Sequence, residues 1–103
     1  MQGRAVHNEL VTNATAAQAI AKGENIGPLS SAAWRALMPD VSRLLSEPEF
    51  TDIATAHLFT EKYEERRRAF LGGEGIGAPE REAFSAASQS YHEAAELLRR
   101  KVW

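Results

Sequence analysis

Residues 79–102 read PEREAFSAASQSYHEAAELLRRKV, and this stretch decides the fold. Phe84, Ala87, Tyr91, Ala94 or Ala95, Leu98 and Val102 recur at intervals of three and four, which lines them along one side of a helix. Pro79 suits the first helical turn, where its missing N–H goes unnoticed, and Glu80 and Glu82 suit the positive N-terminal end. A helix of about 22–25 residues spans about 33–37 Å. An apolar stripe of that length has to be covered by other helices.

The stretch before it, Gly72-Gly73-Glu74-Gly75-Ile76-Gly77, stops a preceding helix and turns the chain. That helix is predicted to open at Pro48 and Glu49 and to run unbroken to about Leu71. Its seam is Ile53, Ala56, Phe59 or Thr60, Tyr63 and Phe70. Arg67 falls on the seam, so it either passes the end of the core or meets an acid. Leu58 points away and is a candidate second contact. The short loop predicts an antiparallel hairpin of these two long helices.

The loop has a twin fifty positions earlier, Gly23-Glu24-Asn25-Ile26-Gly27. A helix is predicted before it, from about Arg4 to Lys22, with Val6, Leu10, Ala14, Ala17, Ile20 and Ala21 on its apolar face. Gly23 stands where a left-handed C-terminal cap is expected. Asn13 lies on the same seam. A buried seam Asn fixes register or oligomer state; a partly exposed Asn is the reading favoured for a short Ala-rich helix, because polar residues are buried only when paired. After Gly27-Pro28, Ser30 or Ser31 caps a helix holding Ala32, Ala33, Trp34, Leu37 and Met38. Pro39 then either ends that helix, with a second short one from Pro39 to Leu45, or kinks it. In both loops the Ile is expected to tuck toward the core. The aromatic one turn into the next helix, Trp34 or Phe84, is expected to pack beneath it.

No segment has the alternation or β-branched enrichment of a strand. The expected fold is an all-α, up-and-down bundle of four to five helices, in two helix-loop-helix halves. It forms a single helical domain over residues 1–103, as a whole protein or as a piece excised from a larger one. Alanines at the contact positions allow helix axes to approach near the short end of the usual range. Leu29, Trp34, Tyr63 and Tyr91, with Leu58, are the expected anchors of core or interface. Two long helices against two shorter ones leave apolar surface uncovered, and homodimerisation is the simplest way to bury it.

The chain has 103 residues and a formal net charge of −2, a balance that argues mildly against a dedicated nucleic-acid binder. Its lack of cysteine excludes disulfides and thiolate metal sites. There is no apolar run of about 18 residues and no signal-peptide pattern. The cytoplasm is the expected location, with the soluble part of a membrane-anchored protein as the alternative.

No motif specifies a chemistry. The Gly-rich loop at 72–77 has neither the strand nor the Lys-Ser/Thr pair of a phosphate cradle. His57 with Glu61 and His92 with Glu96 are i,i+4 pairs and the only local metal candidates. The Glu-x-x-His pattern of bundle metal sites is absent, since Ala54 and Gln89 stand where Glu is needed. Both pairs fall about 100° off the predicted seams and are expected to face solvent. The serines at 30, 31, 42, 46, 85, 88 and 90 sit at caps or helix surfaces with no base at local spacing. No catalytic residue, cofactor or metal is expected. Arg66-Arg67-Arg68 and Arg99-Arg100-Lys101 lie in last helical turns, where cations oppose the dipole. In the hairpin the first cluster meets Glu80 and Glu82, and the second meets Glu47 and Glu49.

The segment Ile26-Gly27-Pro28-Leu29-Ser30-Ser31-Ala32-Ala33-Trp34 resembles a phrase in a loose group of prokaryotic helical proteins. There an N-terminal helix is followed by a Pro-Leu-Ser/Thr-x-x-Ala-Trp-like turn and further helices, in many cases behind a transmembrane helix. The resemblance implies an all-helical interaction module and brings no catalytic residues. The sequence thus leads to a non-enzymatic interaction or oligomerisation module, acting with itself as a homodimer or with another protein. The alternative is a small DNA- or RNA-associated regulator using the Arg clusters. A weaker one is a bundle binding a metal or small ligand.

Overall fold

The computed structural model describes residues 2–24, 27–71 and 75–102. They form five helical segments and no strand: α1 (Gln2–Ala21), α2 (Ala32–Ser42), α3 (Glu47–Leu58), α4 (Thr60–Leu71) and α5 (Ala78–Val102). The fold is all-α, as the periodicity predicts. The molecule measures 42 × 20 × 19 Å, its length matching that of α5.

α5 is the central stave. α1 packs antiparallel along it through small residues, including Ala17 and Ala87. The approach is close enough for the Ser88 hydroxyl to donate to the Ala14 carbonyl at 2.8 Å. α3 and α4 run antiparallel to α5 as well. Glu49 meets Lys101 at 2.8 Å, Thr60 meets Tyr91 at 2.6 Å, and the rings of Tyr63 and Phe84 lie 5.1 Å apart. Val6, Leu10, Ile53, Phe84, Tyr91 and Leu98 are the largest apolar side chains sealed along these contacts. Truncating one of this size to Ala typically costs about 2–5 kcal/mol.

The remaining stave is half loop and half helix. After α1 the chain doubles back beside it, so that Ser30 lies against Asn13 and Trp34 against Glu9. Only from Ala32 is this return helical. α2 passes through Pro39, which lies on the exposed face, and ends at Ser42. There the carbonyl that loses its partner to the proline can bond to water.

The ends follow local chemistry. Gly23 is left-handed, with φ 88°. The Gly23 N–H bonds to the Ile20 carbonyl and the Glu24 N–H to the Ala19 carbonyl, the paired closure that a C-terminal glycine permits. Ser46 and Glu49 cap each other's backbone N–H groups at the start of α3. Of the twin loops, Ile26 and residues 72–74 lie outside the described residues, as does the side chain of Val102. Ile76 is half-buried against the core. Trp34 and Phe84 are both buried and each meets two rings of the α3–α4 pair: Phe50 and His57 for Trp34, Tyr63 and Phe70 for Phe84.

Two expectations are corrected. The single helix predicted from Pro48 to Leu71 is interrupted at Phe59 (φ −103°, ψ 11°), where neither Pro nor Gly marks the break. Its buried side also takes in His57 and Glu64, which the predicted seam did not include. Ile53, Ala56, His57, Thr60, Glu64 and Arg67 face inward, while Phe59 is 53% exposed. Ile53, Ala56, Thr60 and Arg67 lie on the predicted seam, Tyr63 and Phe70 are half-buried against the core, and Phe59, the alternative to Thr60, is the seam residue that turns out.

Candidate interaction surface and the polar network behind it

The burial of polar side chains on this side has a physical cause. α4 packs on α5 through Thr60, Tyr63 and Phe70 and, on its other side, on the non-helical segment 27–31, whose backbone polar groups must find partners. Three side chains supply them. Asn13 donates to the Ser30 carbonyl at 2.7 Å and accepts from the Ser30 N–H at 2.9 Å. Glu64 accepts from the Leu29 N–H at 2.9 Å. Glu9 accepts from the Ala33 and Trp34 N–H groups at 2.8 and 3.1 Å, acting from α1 as the N-terminal cap of α2. Asn13 is 1% exposed, so the partly exposed reading fails; its pairing with Ser30 is what permits the burial.

Glu64 also holds the Arg67 guanidinium by two bonds of 2.6 and 2.7 Å and accepts from Arg68 at 3.1 Å. The Arg67 guanidinium foremost, against the opposing effect of burial, holds the Glu64 carboxyl below the usual carboxylate range. Arg67 on the seam therefore meets an acid. A polar cleft of about 550 Å³ lies between Ser30–Ser31 and α4, and the 2.7 Å Arg35–Glu61 pair stands at it.

His57 is corrected from a solvent-facing residue to a buried one, its side chain 2% exposed. Its ring stacks on Trp34 at 5.1 Å with an interplanar angle of 4°, and Tyr91 presents an edge at 6.4 Å. Neither ring nitrogen has a hydrogen-bond partner among the described residues. Nδ1 lies 3.9 Å from the Glu9 carboxylate. Burial pushes the imidazole down to a pKa of about 4. Glu61 points to Arg35 instead of His57, so the first i,i+4 pair is not brought together. His92 and Glu96 are exposed, and Arg99 holds Glu96. Among the described residues no three His, Cys, Asp or Glu side chains converge as metal ligands.

Five of the six residues of the basic clusters bond to acids, while Arg100 is exposed with no ion pair among the described residues. Arg66 bonds to Glu80 as the hairpin register predicts, and Arg67 and Arg68 turn to Glu64. Lys101 meets Glu49, again as predicted, and pulls its carboxyl down to a pKa of about 2; Arg99 bonds to Glu96 within its own helix. The hydroxyls of Ser30, Ser42, Ser46 and Ser88 bond to backbone groups, and Ser30 also donates to Glu9.

Of the expected anchors, Leu29, Trp34 and Tyr91 are core residues, Tyr63 is half-buried, and Leu58 is 69% exposed. Leu58 and Phe59 stand together at the α3–α4 break. Phe59 borders a groove of about 340 Å³ whose other walls include Tyr63, Ala83 and Phe84, with Lys62 and Arg66 beside them. Glu9 and Glu64 were missed by sequence reasoning, which had no signal for an acid whose partner is a backbone N–H distant along the chain. Of the two seam alternatives Phe59 and Thr60, Thr60 is buried and Phe59 is exposed. No family model, curated protein or solved structure matches the chain.

Proposed function

We propose that the chain is a non-enzymatic helical protein–protein interaction or oligomerisation module, docking through the surface at the α3–α4 break. One observation carries this reading: two adjacent large apolar side chains, Leu58 and Phe59, are 69% and 53% exposed beside an apolar groove. Contiguous exposed apolar surface of this kind marks association sites more often than scattered single residues do. Burying Leu58 and Phe59 gains apolar transfer energy, and the groove offers shape for specificity.

The polar groups inside the bundle support a scaffold role. Asn13, Glu9 and Glu64 are each occupied with backbone or an Arg, and the serine hydroxyls named above are spent on backbone. The resemblance of residues 26–34 to helical interaction modules points the same way, and the cytoplasm is the proposed place of action. The nucleic-acid reading is disfavoured because Arg66, Arg67, Arg68, Arg99 and Lys101 each face a carboxylate. The metal reading is disfavoured because His57 is enclosed by rings.

The test is Leu58→Asp combined with Phe59→Ser. The variant should keep its helical circular dichroism and lose association with itself or any partner of the wild type. Unchanged association would overturn the docking surface.

A further inference from the structure

We propose that the partner is a second copy of this chain, with the two α4 helices antiparallel across a two-fold axis. This rests on the docking reading above and commits it to one occupant. The argument is charge complementarity along α4. Its charged residues are Glu61, Lys62, Glu64, Glu65, Arg66, Arg67 and Arg68. Five of them are engaged within the chain: Glu61 with Arg35, Glu64 with Arg67 and Arg68, and Arg66 with Glu80. Lys62 and Glu65, one of each sign, are exposed and have no ion pair among the described residues.

The spacing makes this pair self-complementary. Lys62, Glu65 and Ala69 share one side of α4, and Leu58 stands four residues before Lys62 at the end of α3, so the spacing of four, three and four reads the same in either direction. Leu58, Lys62 and Glu65 are exposed and Ala69 is half-exposed. An antiparallel copy centred between Lys62 and Glu65 sets Lys62 of each chain against Glu65 of the other, twice over. The same placement sets the projecting Leu58 of each chain against the small Ala69 of the other. A two-fold contact needs a surface that complements itself, and this ridge does so in both charge and size. Phe59 stands beside the ridge and is covered with it.

Sedimentation velocity of the full chain over a concentration series tests this, with Lys62→Glu and Glu65→Lys as single variants. The wild type should approach twice its 11.3 kDa mass. Each variant alone places like charges against each other and should associate at least about tenfold more weakly. An equimolar mixture of the two variants restores opposite charges at both contacts. It should associate within about threefold of the wild type. Circular dichroism of each variant checks that the helices are intact. A wild type that stays monomeric overturns the self-pairing, and a mixture no stronger than its components overturns the antiparallel register. If a monomeric wild type crosslinks from position 58 to a foreign protein, the self-pairing falls and the docking surface stands. If position 58 crosslinks to nothing, both fall.

Discussion

The Asn13 amide bonds to both backbone polar groups of Ser30, at 2.7 and 2.9 Å, so that one side chain from α1 substitutes for a helical or sheet partner. Asn13→Ala leaves the part-buried N–H and carbonyl of Ser30 without this partner. It should destabilise the fold by about 2–3 kcal/mol, read as a lower denaturant midpoint at unchanged slope. Asn13→Asp keeps the acceptor, loses the donor, and turns a carboxylate toward the Ser30 carbonyl. It should be no more stable than Asn13→Ala. A loss below about 0.5 kcal/mol for both would mean that the return segment does not depend on this clamp.

Glu64 serves the Leu29 N–H and Arg67 at once. Glu64→Ala leaves a nearly buried guanidinium and a buried N–H without this partner. It should cost about 3 kcal/mol or more by chemical denaturation. Glu64→Gln keeps an acceptor for Leu29 and should recover part of the loss.

His57 makes stability depend on pH in a defined direction. Its folded pKa, pushed down by burial, is about 4, against 6.5 for the free side chain. As pH falls from 6.5 the unfolded chain takes up a proton that the folded chain refuses, so stability drops toward pH 4. The loss approaches about 3 kcal/mol over that window. Below it, Glu49 and Glu64, whose pKa values are depressed, add their own losses as they protonate. His57→Phe keeps an aromatic ring against Trp34 and removes the titration. Its stability should be flat between pH 6.5 and 5, and a slope equal to the wild type's would refute the assignment.

The helices facing helices were legible in the sequence. α1 and α5 pack through Leu10, Ala17, Ile20, Tyr91 and Leu98, all on the predicted stripes, because apolar periodicity records a helix–helix contact directly. The Arg66–Glu80 and Lys101–Glu49 contacts followed from the antiparallel hairpin. The polar part of the α4 seam was illegible for the opposite reason. Beside its contact with α5, α4 meets the non-helical segment 27–31, so Glu64 turns in to serve the Leu29 N–H and Arg67, and Thr60 rather than Phe59 takes the inward place. The same segment explains why Asn13 was read as partly exposed, and Glu9 was not singled out because its partners are the first backbone N–H groups of α2. His57 turns inward beside Ile53 and Ala56, where Trp34 and Tyr91 enclose its ring.

Leu58 and Phe59 should be nearly free of structural duty. Leu58→Ser should shift folding stability by no more than about 0.5 kcal/mol while weakening association. Tyr91→Phe is the contrast. It strands the Thr60 hydroxyl that Tyr91 meets at 2.6 Å, and should cost about 1–2 kcal/mol with association intact in the folded protein.

Site-specific photo-crosslinking tests the docking surface most directly. A benzophenone side chain replaces Leu58 in one sample and the exposed Gln89, on α5, in another. The account predicts protein adducts from position 58, to a second copy in purified protein, and far fewer from position 89. Equal yields from the two positions, or none from position 58 in either purified protein or cells, would contradict it.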